Sequence, residues 1–415
     1  MKVLHVLNGA IGGASISTLE LIDALSKRGV QSFIYCSARV SRAARKDLEA
    51  RSKVPVFFGP LYFWNLRTRK SFLVRPLIEI YQVFYTGFLV KSSSKIMEVC
   101  QRLGIDIIHS STALSPDGAV AAARLNTPHV WHVREMIGPG QLHRLKGDAD
   151  GNAALRLLRS GFLVANSLSS YRAVMANIKS EKSAIIHNGF NFSGNSICHP
   201  GPFEAGSKVF GMVANISSTW KRHDVYIKAA SIVASACPEA IFLLYGEIPG
   251  DNSSQESKRY YKYLIGLVRE LGLQDRFVFK GYCKNVVDIM NSVDVIVHPC
   301  ESESFGRVFV EASAAGRALV AARGGAAVEV ISDEVTGILV EANDVSGFSS
   351  AMLRLIEDPT LARRLGAAAR DHVLQAYEID SCCEKICDLY SKIHMMRKAH
   401  SETMSAFGAI KFVLH

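Results

Sequence analysis

Glu303 and Glu311 flank a short turn, Glu303-Ser304-Phe305-Gly306-Arg307-Val308-Phe309-Val310-Glu311. The segment follows an apolar run, Val293–Pro299, and opens an amphipathic stretch from about Arg307 to Gly316, which predicts strand, turn and helix. Backbone N–H groups around Phe305–Val308 would then point out of a helix N-terminus, an anion site where open α/β sheets bind ligands. Carboxylates on opposite sides of such a loop can hold different hydroxyl-bearing parts of one ligand, because each accepts paired hydrogen bonds from vicinal hydroxyls. On spacing alone, two solvated acids remain the simpler reading. A second loop, Leu7 to Ser15, joins the first strand to the first helix through Gly9, Gly12 and Gly13. Its G-x-x-G-G order is not the dinucleotide fingerprint, and Tyr35-Cys36-Ser37 supplies no acidic partner at the end of the second strand. Both points argue against a Rossmann oxidoreductase.

These loops need strands to carry them. Short apolar runs alternate with helix-like stretches along the whole chain, which predicts buried parallel strands at Val3–Leu7, Gln31–Cys36, Ile105–His109, His129–Val133, Phe162–Ala165 and Ser183–His187. After a Gly-, Pro- and Ser-rich break at 191–207 the alternation restarts at Lys208–Ala214, Ile241–Tyr245, Arg276–Lys280, Val293–Pro299, Arg317–Ala321 and Gly337–Val340. The expected organisation is an N-terminal α/β domain over 1–190, a linker over 191–207 and a second α/β domain over 208–378. A C-terminal helix, Ser381–Lys398, and tail over 379–415 complete it. The fold class is α/β: two tandem Rossmann-like doubly wound parallel-sheet domains.

Composition narrows the classes further. With 415 residues, 48% hydrophobic and 21% charged, the chain is too apolar for disorder and long enough for two cores. No run approaches the ~20 apolar residues of a spanning helix, and Met1–Cys36 has no signal-peptide pattern. The expectation is a cytoplasmic protein. Its nine cysteines, with no CxxC pair, fit reduced thiols. The net charge of +10 is uneven. Residues 1–200 hold 25 Lys and Arg against 12 Asp and Glu, and residues 201–415 hold 23 against 26. Within the basic half, residues 53–95 interleave seven Lys and Arg with many aromatics and one acid, Glu79. That pattern suits peripheral docking on the anionic inner face of a membrane, each cation adding about 1 kcal/mol. A buried helix with a solvated basic face is the alternative. No nucleic-acid module is recognisable.

The Glu303 to Glu311 segment resembles the E-x7-E motif of retaining glycosyltransferases of the B-type fold, glycosyltransferase family 4 in particular. Trp220-Lys221-Arg222-His223-Asp224 is similar to the family's WKGHD segment, and His187-Asn188-Gly189-Phe190 to its NG element before the linker. Gly324-Gly325, Glu329 and Gly337 resemble its GG…E…G run, and Gly12-Gly13-Ala14 its N-terminal glycine loop. The resemblance covers roughly residues 1–395. It implies a glycosyltransferase B fold whose two domains face across a cleft, with a nucleoside-diphosphate sugar in the C-terminal domain and a saccharide or lipid-linked acceptor in the basic N-terminal one. It also implies that the helix Ser381–Lys398 crosses back to the first domain. It implies that Glu311 binds the donor's ribose, that Glu303 binds its sugar, and that Ser304, Phe305, Gly306, Arg307 and Val308 hold diphosphate or sugar hydroxyls. Lys221 would balance charge on the leaving diphosphate. His132 would face the donor sugar, with Arg134 and Glu135 beside it. Gly12, Gly13, Gly246, Glu247 and Tyr282 would border the donor, Tyr282 near the base. The family often has arginine where this chain has Asn215 and glycine where it has Arg222, so Arg222 is a candidate second cation for the diphosphate.

No metal or other cofactor is expected. Asp148-Ala149-Asp150 fits a D-x-D pattern but lies in a polar loop, and Glu303 and Glu311 show no third ligand in sequence reach. The implied activity is hexosyl transfer with retention, in cell-surface polysaccharide or glycolipid synthesis. The rivals are a nucleotide-sugar epimerase of the same fold and a catalytically silent sugar-binding scaffold.

Overall fold

The computed structural model describes residues 1–10, 12–63, 65–66, 75–137, 144–145, 157–178, 180–193, 208–217, 219–251 and 253–413, with the backbone alone for 65–66, 75–86, 144–145, 177 and 398–413. The chain divides into two compact units, Met1–Phe190 with Ile379–His415, and Asn191–Glu378.

The first unit is built on β1 (Lys2–Leu7), β2 (Gln31–Ser37), β3 (Val56–Gly59), β5 (Ile107–Ser110), β6 (His129–Val133), β8 (Phe162–Ala165) and β9 (Ser183–Ile185). They form one parallel sheet in the order β3-β2-β1-β5-β6-β8-β9. A two-residue antiparallel pair, β4 (Asn65–Leu66) with β7 (Arg144–Leu145), stands apart. The central strands are buried along their length, as helices on both faces of a parallel sheet require. Because β2 and β5 leave opposite sides of β1, the switch point lies at the C-terminal ends of β1 and β5, where the glycine loop begins.

The sequence pattern missed β3. Val56-Phe57-Phe58-Gly59 lies in the segment expected to dock on a membrane, yet it forms the sheet edge. Phe57 and Phe58 pack against two core clusters, under the guanidinium groups of Arg102 and Arg45. Leu61 and Tyr62 are buried as well, and Tyr62 meets Phe88 edge-on. Asp117 fixes this turn: its carboxylate accepts the Tyr62 N–H and the hydroxyls of Ser92 and Ser115. Most described aromatics of that segment therefore serve the core.

The second unit orders its strands β12 (Phe277–Gly281), β11 (Ile241–Tyr245), β10 (Val209–Val213), β13 (Val295–His298), β14 (Ala318–Ala322) and β15 (Ile338–Val340), again all parallel. Its core carries Phe210, Phe242, Phe277 and Tyr226, whose hydroxyl donates to the Phe210 carbonyl. The switch point lies between β10 and β13. Several of its helices are capped by side chains: Ser254 begins Gln255–Glu270, Asp344 begins Val345–Glu357, and Asp358 begins Pro359–Ala376 with Pro359 in its first turn.

The last helix runs Ile379–Val413, past the expected end at Lys398 because the next residues hold no proline and several strong helix formers. Ile379, Cys383, Ile386, Tyr390 and Ile393 recur at helical spacing and pack on Val3, Leu21, Leu25, Ile107 and Val130 of the first unit. The Ile379 N–H donates to the Phe190 carbonyl. Gly189 makes this close approach possible, since a Cβ there would stand 2.7 Å from Ile379 Cα. No helix among the described residues is long and apolar enough to cross a membrane.

Gly189→Ala should lower stability by roughly 1–3 kcal/mol, because the obstacle is backbone that cannot rotate away. Gly266→Ala, inside a helix with nothing within 4 Å of the new Cβ, should raise it by about 0.5–1 kcal/mol. Urea midpoints of the two variants check the pair, and opposite signs are expected.

Candidate active site

The second unit's switch point brings two distant loops together. After β10, Ala214 and Asn215 lead to a single 3₁₀ turn, Thr219–Lys221. Arg222 then adopts left-handed backbone, φ 57°, at the start of the helix His223–Ala236. After β13, Pro299 to Gly306 form the loop before the helix Arg307–Ala314. Across the two, the Lys221 ammonium pairs with the Glu303 carboxylate. The same oxygen lies 3.1 Å from His298 Nε2. Side-chain exposure is only 16% for Lys221 and 11% for Glu303, so this is a desolvated ion pair. The Lys221 Nζ also sits 4.0 Å from the Trp220 ring centroid.

Glycines make this convergence sterically possible. Gly306 takes φ 70°, and a Cβ there would meet the Phe309 ring and Glu303 Cγ. A Cβ on Gly325, at φ 51°, would lie 2.4 Å from the Glu303 carbonyl, and one on Gly324 2.7 Å from the Glu301 carbonyl. The Ala326 N–H donates to the Glu303 carbonyl at 2.8 Å. The loop after β14 thus clamps the glutamate loop from behind.

Burial would push the Glu303 carboxyl up, but the Lys221 charge and the His298 hydrogen bond outweigh it and hold it well below the usual carboxylate range. Burial, and after it the Lys221 charge, lowers His298 despite its hydrogen bond to Glu303, so a neutral ring donates from Nε2. Cys300 is buried beside them, its thiol pushed up to about 12 by burial and the Glu303 charge. One ligand atom each from His298, Cys300 and Glu303 lie within 4.8 Å of one another. This corrects the expectation that Glu303 has no third metal ligand in sequence reach. The donor set is a poor fit for a resident ion, because Lys221 already supplies the cation and the thiol is held protonated.

The remaining residues of this unit fall into three groups. Phe305 and Val308 are buried, and the amides of 305–308 stand at the N-terminus of Arg307–Ala314. Glu311, one turn in, accepts from Arg307 Nε at 3.0 Å. Asn215 Oδ1 accepts the Glu247 N–H at 2.9 Å, and a Cβ on Gly246 would strike the Ala214 carbonyl at 2.0 Å, so β10 and β11 end locked together. Tyr282 is 57% exposed after the edge strand β12, two strands from the switch point. The Arg222 guanidinium is held by Asp224 through two contacts of 3.1 Å, so its charge has a partner within the same loop.

In the first unit, Gly12 at φ 119° precedes the helix Gly13–Lys27, which has no side-chain cap. Its first-turn N–H groups are available to an anion. His132, the last residue but one of β6, is fully buried, its Nδ1 3.2 Å from His109 Nε2 and 3.3 Å from Arg134 Nη2. Arg134 reaches Asn188 Oδ1 at 2.6 Å. Glu135 accepts the Thr112 hydroxyl and the Ala113 and Arg134 N–H groups, while burial raises its pKa. His298, His109 and Tyr390 escaped the sequence reading; the available signal was a histidine at the C-terminal end of a strand in each case but the last. Asp148, Asp150, residues 67–74 and all of 194–207 lie outside the described residues.

An ammonium, a helix N-terminus and paired carboxylates at a doubly wound switch point describe a site for a phosphorylated, hydroxyl-rich ligand. Comparison with known proteins names the class. The family model described as glycosyl transferases group 1 matches residues 199–372, and that described as glycosyltransferase family 4 matches residues 11–193. The chain belongs to the family 4 glycosyltransferases. It is 27% identical over 399 residues to the N-acetyl-alpha-D-glucosaminyl L-malate synthase of Bacillus anthracis, covering 93% of this chain and 94% of that protein. It is 24% identical over 431 residues to the D-inositol 3-phosphate glycosyltransferase of Corynebacterium diphtheriae, covering 97% and 95%. Among solved structures, Anabaena HepE in complex with UDP-glucose matches with TM-score 0.76 at 22% identity, over 94% of this chain and 100% of that one. Both units have the parallel-sheet architecture of the glycosyltransferase B fold.

Lys221→Met leaves the buried Glu303 carboxylate with His298 alone and should cost roughly 3 kcal/mol at pH 7. In the wild type the folded carboxyl pKa lies below its unfolded value of about 4.3. Its stabilisation is therefore full above that value and fades as pH falls toward the folded one. In the variant, burial without the ammonium raises the folded pKa, so acid stabilises it relative to pH 7. Urea midpoints between pH 7 and pH 4 should show the gap between the two proteins narrowing; a gap independent of pH would contradict the ion-pair account.

Proposed function

We propose that this glycosyltransferase moves a hexosyl unit from a nucleoside-diphosphate sugar to an acceptor hydroxyl, with retention and without a metal. The buried Lys221–Glu303 pair beneath the Arg307–Ala314 N-terminus carries the reading. When the bond from the anomeric carbon to the diphosphate oxygen breaks, charge gathers on that oxygen, and an ammonium already fixed beside it stabilises the transition state most. The acceptor oxygen bonds to the anomeric carbon from the face the diphosphate leaves, and its proton passes to the departing phosphate. The Phe305–Val308 amides would hold the diphosphate, Glu303 the sugar and Glu311 the ribose, with Arg307 orienting Glu311. His132 would face the donor sugar. UDP is the first base to test, because Anabaena HepE was solved with UDP and with UDP-glucose, and Staphylococcus aureus TarM with UDP.

The acceptor is a hydroxyl of a saccharide or of a lipid-linked saccharide, in cell-surface polysaccharide or glycolipid synthesis. The basic excess of residues 1–200 suits an acceptor bearing acid groups, a reading supported by relatives whose names contain L-malate and inositol 3-phosphate. Peripheral docking on anionic lipid would fall to Arg67, Arg69, Lys70 and Arg75, since Phe57, Phe58 and Tyr62 serve the core.

A thermal-shift series against UDP-, GDP- and ADP-sugars, with and without EDTA, should show an EDTA-insensitive rise for one base. Glu311→Gln should weaken binding of that donor roughly tenfold or more; unchanged affinity would remove the ribose assignment. Neutralising Arg67, Arg69, Lys70 and Arg75 should abolish co-sedimentation with phosphatidylserine vesicles, and retained co-sedimentation would rule out this docking.

A further inference from the structure

The end of β6 carries a hydrogen-bond chain whose direction is forced from one end. A guanidinium has donors and no acceptor. Arg134 Nη2 lies 3.3 Å from His132 Nδ1, so that nitrogen presents a lone pair. His109 Nε2 lies 3.2 Å from the same Nδ1 and must therefore carry a hydrogen. Burial keeps both rings neutral, helped by the Arg134 charge and by neighbouring histidines, since each sits well below the ordinary histidine range. A neutral His109 protonated at Nε2 has its lone pair on Nδ1, and the group facing that nitrogen is the Tyr390 hydroxyl. Tyr390 is the donor. Tyr390 lies 281 residues from His109, on the last described helix, Ile379–Val413.

The other polar neighbours leave this order intact. His5 lies tilted against His109, with ring centroids 5.4 Å apart, and its Nε2 faces Ser32. His129 Nε2 faces Ser110. With the one Nδ1 lone pair shared between the Arg134 and His109 donors, the single His132 proton sits on Nε2. That atom is buried and has no hydrogen-bond partner among the described residues. A buried donor left unmatched costs about 1–3 kcal/mol, so it is poised for an acceptor oxygen from outside the protein.

We propose that Tyr390 and His109 are positioning residues for His132: the chain Tyr390 O–H to His109 Nδ1, then His109 Nε2–H to His132 Nδ1, fixes His132 in its Nε2–H tautomer and presents one directed donor to an oxygen of the bound sugar. The C-terminal helix thus sets the polarity of a site formed by the first unit's strands. That the oxygen belongs to the donor sugar rests on the function proposed above; the tautomer does not.

The experiment uses the full chain with 15N-labelled histidine, the His132 signals being those lost in His132→Asn. The wild type at pH 7 is expected to show a protonated, pyrrole-like Nε2 and a pyridine-like Nδ1 at His132; the reverse pattern or a cation overturns the proposal, with no variant or substrate needed. Tyr390→Phe keeps the ring and removes only the donor. It should turn the single tautomer into a mixture and lower kcat/KM for the donor by roughly five- to tenfold, the worth of one neutral hydrogen bond, with acceptor KM unchanged. A fall in melting temperature with the tautomer still single would mean that Tyr390 only packs, against the proposal. In His109→Gln the amide N–H₂ takes the place of Nε2–H, so adding Tyr390→Phe should then change neither tautomer nor kcat/KM further; additive losses also count against it. Absence of turnover with every donor would refute the proposed function, while the nitrogen signals would still decide the relay.

Discussion

Burying the Lys221 ammonium against the Glu303 carboxylate is the constraint around which the second unit is arranged. Two charges withdrawn from water cost several kcal/mol each, and their attraction offsets this only when the geometry is close and the remaining lone pairs are satisfied. His298 supplies the extra hydrogen bond from the last residue of β13, and the Trp220 ring covers the ammonium. The backbone around Glu303 is held from the other side by Ala326 N–H, in a space that only glycine at 324 and 325 leaves open. A pair so enclosed is weak evidence for stability as such. On the function proposed above, its value is a cation and an anion fixed in advance, needing no reorganisation at the moment of reaction.

The first unit handles its buried polar groups differently. Its central strands present four histidines, His5, His109, His129 and His132, all buried. Two positive charges there would be intolerable beside Arg134, so the rings are neutral and their hydrogen bonds acquire direction from the one obligate donor. Burial, followed by the Arg134 charge, lowers the pKa of His5 to about 3, and burial alone does the same for His129. One unit thus prepares a charge pair and the other a line of neutral dipoles, and both lie at the C-terminal ends of parallel strands. The same topology also explains the C-terminal helix. Its apolar stripe completes the core on β1, β5 and β6, and Tyr390 within that stripe meets His109 Nδ1.

Much was legible in the residue order. Parallel strands buried on both faces are continuous apolar runs, so β1, β2, β6, β8, β11 and β13 stood out, as did the helices between them. The strand-turn-helix around Glu303 and Glu311 followed from the position of Gly306 and the apolar residues after Arg307. β3 did not, because Val56–Gly59 is a short edge strand whose two phenylalanines carry the same signature as a membrane-facing surface. The partner of Arg222 was equally hidden: its counter-ion Asp224 lies two residues on, and the backbone at 222 itself is left-handed.

What the sequence by itself determined was local: which stretches could be strands or helices, where the backbone needs glycine, and which side chains can carry charge or accept from hydroxyls. Partnership was decided by tertiary structure. Lys221 and Glu303 are 82 residues apart, and His109 and Tyr390 are 281 apart. Their contacts exist because sheet order places β10 beside β13 and lays the last helix on the first sheet. The direction of every proton in the histidine chain, and the ionised state of Glu303, then follow from burial and from neighbours that no spacing along the chain encodes. A side chain's pKa and tautomer are set by the charges and dipoles within a few ångströms, and the fold alone assembles those.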